Sequence, residues 1–201
     1  MDPKALFNIT YGLYLLTARQ MGKDNGCIIN TVTQVAENPV RICVSVFKGN
    51  LTHDMILATG AFNISAITTD ADFSLFQRFG MQSGRALDKF ADFPHVARSN
   101  NTIYHLTQNA NMFLSAVVLQ EIDLGTHTLF IAEVTDGEVL SNNKGCTYGY
   151  YQDNIKPKAK KTEKKQWECR ICGYIYEGDE VPDDYLCPLC YHDKDAFVLV
   201  E

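Results

Sequence analysis

Cys169-Arg-Ile-Cys-Gly-Tyr174 and Cys187-Pro-Leu-Cys190 decide the fold of the C-terminal part of this chain, and fourteen residues separate Cys172 from Cys187. Each Cys-x-x-Cys turn places two thiolates on one side of the backbone, and two such turns together form a tetrahedral four-sulfur site suited to zinc or iron. Two disulfides are the alternative, but residues 1–20 lack the pattern of a signal peptide. We therefore predict a metal site, with Cys169, Cys172, Cys187 and Cys190 as its ligands.

The spacing of the cysteines does not separate zinc from iron, so the surrounding residues have to be considered. The last 36 residues are rich in aromatic side chains, and so small a segment needs a metal to hold its core together. Trp167-Glu-Cys-Arg-Ile-Cys-Gly-Tyr-Ile-Tyr176, Val181-Pro-Asp-Asp-Tyr-Leu-Cys-Pro-Leu-Cys190 and Lys194-Asp-Ala-Phe197 together resemble rubredoxin, shortened between its two knuckles. The resemblance implies one iron ion in four thiolates, acting as a one-electron carrier. A structural zinc ribbon is the alternative that the spacing allows.

One position departs from the rubredoxin pattern, which has glycine after the second cysteine of each knuckle. Gly173 fits this pattern, whereas Tyr191 occupies the second position. A positive φ would cost a non-glycine residue roughly 1–2 kcal/mol. We expect either a strained second knuckle or a different backbone there, with an effect on the potential of the iron, because backbone N–H groups aimed at sulfur tune it.

Length, composition and charge indicate two globular parts joined by a linker. The chain has 201 residues, 46% of them hydrophobic, which suffices for one ordinary domain and a small one. The net charge is −3 over residues 1–152, +4 over residues 153–165 and −7 over residues 166–201. We predict these ranges as the barrel domain, a lysine-rich linker and the metal domain. The acidic metal domain should favour a basic patch on a protein partner and repel nucleic acid, although lysine runs can also bind nucleic acid.

No apolar run approaches the roughly 20 residues that span a bilayer. A thiolate metal site and free cysteines also suit a reducing compartment. We therefore expect a cytoplasmic protein without a membrane partner.

Apolar runs separated by polar turns predict a mainly β N-terminal domain. A turn at residues 22–26 should join the first two strands, and Leu124-Gly-Thr126 should join the last two. One helix should begin with Thr52 as N-cap and end at Gly60, and a second should cover 73–79, followed by a long connection over 80–101. The predicted strands are 12–18, 27–35, 40–47, 61–67, 112–123 and 127–136. Six strands with one or two helices imply an antiparallel barrel.

The first 150 residues carry no usual nucleotide fingerprint. None of the 13 glycines makes a Gly-x-Gly pair, and no P-loop is present. Asn50-Leu-Thr-His53 could bind a nucleotide in another way, because side-chain donors and free N–H groups at a helix start can hold a phosphate monoester. Most threonine N-caps bind nothing, so this signal is weak by itself.

The order of several short motifs resembles the flavin reductase-like, split-barrel FMN-binding family. These motifs are Asn30-Thr-Val-Thr33, Asn38-Pro39, Ser45-Val-Phe-Lys48, Asn50-x-Thr-His53 and Gly60-x-Phe-Asn63. The resemblance implies an antiparallel split β-barrel that binds FMN. By position, it implies that the isoalloxazine and ribityl chain contact Asn30, Thr31, Val32, Thr33, Ser45, Val46, Phe47 and Lys48. It implies phosphate contacts for Asn50, Thr52 and His53, with core or surface positions as the ordinary alternative for each residue.

The combination of the two domains resembles known flavin-plus-rubredoxin proteins and implies an electron-transfer oxidoreductase. NAD(P)H would give two electrons to FMN, and FMN would pass them singly to the iron for delivery to a protein acceptor. The resemblance implies a flavodiiron oxygen or nitric oxide reductase as acceptor, and a homodimer. No catalytic acid or base is expected, because hydride transfer chiefly requires stacked rings. The alternatives are a reductase of flavin or ferric iron with an accessory tail, and a non-catalytic zinc-binding module.

Overall fold

The computed structural model of the protein describes residues 9–157, 165–188 and 190–200. The N-terminal part contains nine strands: β1 (Tyr14–Gln20), β2 (Lys23–Ile29), β3 (Val32–Glu37), β4 (Val40–Phe47), β5 (Ala61–Ile67), β6 (Val96–Arg98), β7 (Tyr104–Leu106), β8 (Ala110–Asp123) and β9 (His127–Val139). Seven of them form one sheet in the order β2-β1-β5-β8-β9-β4-β3, with every neighbouring pair antiparallel. The prediction of a mainly antiparallel β domain is confirmed.

The sheet separates two hydrophobic clusters, because neighbouring residues of a strand point to opposite faces. Leu16 belongs to the cluster that includes Phe62 and Phe130, whereas the adjacent Leu15 belongs to the cluster that includes Phe79. Helix α1 (Leu51–Thr59) packs on the first cluster through Met55 and Ile56. The first cluster, against which Leu51 also packs, therefore holds the start of α1.

The first hairpin differs from its prediction. Its turn lies at Met21 and Gly22, whose φ angles of 48° and 80° suit a two-residue hairpin turn. Residues 23–26, predicted as the turn, continue β2 and pair with β1. The predicted strand 27–35 is also wrong as a unit, because Asn30 and Thr31 interrupt it between β2 and β3. The predicted strands 40–47 and 61–67 agree with β4 and β5.

Helix α1 has its N-cap two residues earlier than expected. Asn50 is its N-cap, while Thr52 is buried inside the first turn and accepts a hydrogen bond of 2.9 Å from Asn25 Nδ2. Because Thr52 is itself a helical residue, following Leu51, the prediction of Thr52 as N-cap was wrong. Gly60 ends the helix as predicted, with φ 66° and its N–H donating to Ile56 O over 2.8 Å.

The connection after β5 is more ordered than its sequence suggests. Helix α2 (Phe73–Phe76) continues directly into a π-helical turn, Gln77–Met81. The helical stretch therefore runs past the predicted end at the glycine in position 80. Strands β6 and β7 form a small hairpin that the sequence pattern did not predict. The predicted hairpin of β8 and β9 is confirmed, although both strands extend beyond the predicted ends.

The C-terminal part is a small three-stranded sheet built around the cysteines. It consists of β10 (Gln166–Cys169), β11 (Ile175–Glu177) and β12 (Phe197–Leu199), in the order β11-β10-β12. Before it, helix α3 (Tyr148–Tyr150) continues as the π-helical turn Tyr151–Ile155, so the first three residues of the predicted linker are helical. The rest of that linker from 158 to 164 lies outside the described residues.

No helix in the described ranges has both the length and the apolar character needed to span a membrane.

Candidate functional site

The four predicted ligands come together in one buried group. Their sulfur atoms all lie within 4.8 Å of one another, with Cys169 and Cys190 Sγ 3.6 Å apart and Cys172 and Cys187 Sγ 3.4 Å apart. Sulfurs bound tetrahedrally to one ion at 2.3 Å would be about 3.8 Å apart. The spacing and the burial of all four side chains therefore fit a single four-coordinate metal ion.

These thiols would become thiolates together only with a cation among them. Burial raises the pKa of the Cys172 thiol far above its usual range, and burial together with the neighbouring Cys187 and Cys169 thiols raises the pKa of Cys190 to about 12. Four thiolates would not form together in this interior without a positive charge among them. Backbone N–H groups of Tyr174 and His192 act in the opposite direction, because they donate to Cys172 and Cys190 and lower their pKa.

The two knuckles have the same backbone geometry despite their different sequences. The amide of Gly173 donates to Cys169 O over 2.7 Å, and the amide of Tyr191 donates to Cys187 O over 2.8 Å. Their φ angles are 78° and 61°. Of the two alternatives stated above, the structure shows the usual left-handed knuckle with tyrosine in it. The Tyr191 side chain is 64% exposed, so little packing offsets the backbone cost.

A cleft of about 270 Å³ lies at the start of α1. Asn50 and Thr52 form one wall, β2 contributes Asn25 and Cys27, and the segment 80–84 closes another side. A second cleft, of about 500 Å³, shares Leu51 and the glycine at position 84 with it, so the two clefts are adjacent. The volume and the mixed polar lining suit part of a small-molecule cofactor.

The predicted cofactor residues divide into two groups. Phe47, Asn50 and Thr52 line the cleft. The remaining predicted residues lie elsewhere around the ends of β2, β3, β4 and α1: Asn30, Thr31, Val32, Thr33, Ser45, Val46, Lys48 and His53.

Contacts explain where four of these other residues are held. Thr31 Oγ1 donates to Ser45 O over 3.0 Å and accepts from the Ser45 amide, which ties the β2–β3 connection to β4. Val46 is fully buried in the core, and Lys48 pairs with Asp123 at 2.6 Å.

The imidazole of His53 is buried and engaged on both sides. It is 2.9 Å from Thr128 Oγ1 and 3.2 Å from Asp54 Oδ1. The role of His53 as a phosphate ligand therefore stays a prediction, as do the roles of the other residues outside the cleft.

Lys89 is a cleft residue that the sequence pattern did not identify as functional. Its side chain is only 3% exposed, and its Nζ donates to Gly26 O and Phe79 O, each over 3.0 Å. Burial lowers the pKa of Lys89, and within the described ranges no carboxylate forms an ion pair with it. A buried ammonium without a counter-ion is unusual and favours an anionic ligand. The sequence feature that could have identified Lys89 as functional is the long connection that contains it, because long loops often carry binding or catalytic residues.

Asn25 supplies a second sign that the cleft is incomplete without a ligand. Its Oδ1 atom is buried and has no hydrogen-bond partner among the described residues. The backbone at position 84 packs so closely against this amide that a Cβ there would collide with it. Buried polar atoms normally find a partner, so the lining fits a polar cofactor group.

Residues of the metal domain border the same cleft. Ile171, which precedes the ligand Cys172, and His192, whose N–H donates to the ligand Cys190, both line it together with Asn50 and Thr52. The sequence alone had placed the metal ligands and the helix start in separate domains.

Comparisons with known proteins agree with both parts. The flavin reductase like domain model matches residues 6–159, and the rubrerythrin, rubredoxin-like domain model matches residues 167–198. The high molecular weight rubredoxin of Moorella thermoacetica is 37% identical over 98% of this chain and 99% of the relative. The ferric-chelate reductase (NAD(P)H) of Archaeoglobus fulgidus is 35% identical over 85% of this chain and 100% of the relative.

A solved structure supports the fold of the barrel. An NADH:FAD oxidoreductase of Streptomyces globisporus has a TM-score of 0.64 and 19% identity, over 72% of this chain and 89% of that chain. The combination of domains supports flavin-dependent electron transfer through a four-cysteine iron site. Because the flavin reductase model covers most of the chain, and the Moorella relative nearly all of it, this chain belongs to the flavin reductase-like family, in the high-molecular-weight rubredoxin arrangement with a C-terminal rubredoxin-like domain.

Proposed function

We propose that this chain passes electrons from NAD(P)H, through FMN in the cleft at α1, to an iron ion held by the four cysteines, and then to a protein acceptor. The acceptor that we propose is a flavodiiron oxygen or nitric oxide reductase. The observation that carries this proposal is that Ile171 and His192 of the metal domain line the same cleft as Asn50 and Thr52. Two redox sites that share a wall are placed for direct transfer within the chain.

The residues of the cleft suit the parts of FMN. The N–H groups at the start of α1, with Asn50 and Thr52, favour an anionic phosphate through hydrogen bonds and the helix dipole. Lys89 adds a buried positive charge, and Asn25 Oδ1 offers an acceptor to a donor group of the ligand. When bound, FMN supplies the ability to accept two electrons together and to release them one at a time.

Two residues of the metal domain connect the cofactor cleft to the four-cysteine site. Ile171 is covalently next to Cys172, and the His192 amide is hydrogen-bonded to Cys190. Both residues also reduce the access of water to the cleft. The electrons therefore have a short protein path from the cleft to two of the four ligand sulfurs.

A second function is favoured by the similarity to the ferric-chelate reductase of Archaeoglobus fulgidus along its whole length. In that case, the barrel would reduce a small ferric complex and the metal domain would be accessory. The two functions differ in whether turnover requires a redox-active metal in the tail.

Replacing iron by zinc in the full-length protein tests this difference, because zinc fits the same four-sulfur site but has no redox chemistry. We expect the zinc form to accept electrons from NADH at the flavin as fast as the iron form does, and to lose turnover with a flavodiiron protein. Equal turnover of both forms with that acceptor would contradict the proposal. Equal ferric-chelate reduction, together with no flavodiiron turnover by the iron form, would favour the second function.

A further inference from the structure

The metal domain lies against the barrel beside the opening of the cofactor cleft. Ile171 lines a second cavity, of about 240 Å³, between the two parts, together with Phe76 and Tyr151 of the barrel. The ring centroids of Tyr151 and Phe76 are 4.5 Å apart, and both residues belong to the same buried cluster as Cys172. One face of the first knuckle is therefore in contact with the barrel.

The polar interactions across this contact are weak. Lys156 of the barrel side pairs with Glu168 of the metal domain at 3.6 Å, and both side chains remain partly exposed. Exposed ion pairs of this kind contribute little to stability. Ile171 itself is 45% exposed, so its burial in the contact is incomplete. Apolar packing therefore carries the contact, and this packing is incomplete at Ile171.

The volume of the covered cleft limits what it can hold at one time. At about 270 Å³, it is slightly smaller than the roughly 300 Å³ at the lower end of small-molecule sites. Hydride transfer requires the nicotinamide to stack on the flavin at about 3–3.5 Å between reacting atoms. Ile171 and His192 occupy an edge of this cleft, so a nicotinamide ring that approaches a bound flavin from this side meets the metal domain.

We infer that the metal domain is a removable cover of the cofactor cleft, so that nicotinamide binding and iron reduction use the same opening in turn. This inference rests on the proposed function for the identity of the two redox partners. Each NADH delivers two electrons, which leave through the iron in two one-electron transfers. The iron accepts one, passes it to an external one-electron acceptor, and then accepts the second.

Weakening the contact should therefore change the two steps in opposite directions. In the full-length protein, Ile171→Ser should raise the rate of flavin reduction by sub-saturating NADH about threefold, because more molecules have an open cleft. The same variant should slow iron reduction about tenfold, because the metal domain spends less time at the cleft. Anaerobic stopped-flow absorbance separates the two steps by the colours of flavin and ferric thiolate.

A charge pair gives a test that leaves the knuckle unchanged. Lys156→Glu places two negative charges together and should act like Ile171→Ser, with a smaller effect, whereas adding Glu168→Lys should restore wild-type rates. Leu186→Ser is the matched control, since this exposed apolar residue lies on the other knuckle. It should change neither rate.

Two measurements do not depend on electron transfer. Amide hydrogen exchange at residues 50–53 and 80–84 should increase in Ile171→Ser, and calorimetric titration should show tighter NAD⁺ binding. Unchanged exchange would mean that the metal domain does not cover the cleft. Increased exchange with an unchanged rate of flavin reduction would mean that nicotinamide enters through the neighbouring cleft, and would also overturn the inference. If iron is not reduced by NADH even in the wild type, the proposed function fails, while exchange and NAD⁺ titration still decide whether the cover exists.

Discussion

Tyr191 has a backbone conformation that favours glycine, in the part of the chain that holds the metal. We expect Tyr191→Gly to stabilise the metal domain by about 1 kcal/mol, because removing the Cβ relieves a cost of roughly 1–2 kcal/mol, while glycine makes the unfolded chain more flexible. The midpoint for loss of the ferric-thiolate colour in guanidinium measures this change.

Leu186→Gly provides the control for this substitution. Leu186 is also an exposed residue of the second knuckle, but it does not have a positive φ. It should lower the midpoint slightly. Equal midpoints for wild type and Tyr191→Gly would show that the tyrosine side chain offsets its backbone cost.

Lys89 is expected to act on cofactor affinity more than on folding. Lys89→Met should weaken FMN binding about tenfold or more, because a charge-assisted hydrogen bond to a buried ligand contributes about 1.5–3 kcal/mol. Quenching of FMN fluorescence during titration measures the affinity. The exposed Lys144→Met is the matched control and should bind FMN like the wild type. Unchanged affinity in Lys89→Met would exclude a contact between Lys89 and the cofactor.

The same lysine gives a pH dependence in the cofactor-free protein. Burial lowers the pKa of Lys89 in the folded state, so the unfolded chain binds more protons just below its own value of about 10.4. The free energy of unfolding of the wild type, relative to Lys89→Met, should therefore rise with pH as that value is approached. Urea unfolding at several alkaline pH values tests the sign, and a falling difference would contradict it.

The three strands around the cysteines should depend on the metal, unlike the barrel. Strands β10, β11 and β12 have three or four residues each, and the buried core beside them consists largely of the cysteines themselves. Removing the metal should therefore unfold residues 165–200 and leave the seven-stranded sheet intact. Hydrogen exchange before and after chelation measures this. Continued protection of β10 in the metal-free protein would show that packing alone suffices.

Strands with strong local patterns were predictable from the sequence, and elements decided by distant contacts were not. Strands β4, β5, β8 and β9 are long β-rich runs, and their hairpin or helix neighbours carry clear turn residues. The break at Asn30 and Thr31 depends on hydrogen bonds to Ser45 in another strand, which no local pattern shows. Likewise, Thr52 lies inside α1 and accepts a hydrogen bond from Asn25 of another element, a contact that the local N-cap pattern does not show.

The candidate sites show the same division. The metal ligands were predictable because two short motifs fix four sulfurs locally. The cofactor cleft combines β2, the start of α1, the segment 80–84 and Lys89, which are far apart in the sequence. Burial of Lys89 is a tertiary property, and its residue type alone favours the surface.

Across the whole molecule, charge should govern the encounter with the acceptor. The last 36 residues carry a net charge of −7, which attracts a basic surface over about a Debye length. The second-order rate constant for reduction of a basic acceptor, such as a cationic cytochrome, should fall several-fold when salt is raised from about 0.01 M to 0.15 M.

Electron transfer from the flavin to the iron within the chain is the control for the effect of salt. Iron reduction following flavin reduction should change much less, since the two sites are already joined. An acceptor rate that does not depend on salt would show that the acidic surface serves only to keep the domain dissolved.

The two knuckles present different surroundings, and this has a consequence for protein engineering. Ile171 of the first knuckle contacts the barrel, whereas Leu186 and Tyr191 of the second are 57% and 64% exposed. In the proposed function, Leu186 and Tyr191 therefore offer an exposed surface for electron exit, apart from the face of Ile171 that contacts the barrel. A library of substitutions at Leu186, Tyr191 and the acidic residues around them should re-target the protein to a new redox partner while the supply of electrons from the barrel stays intact.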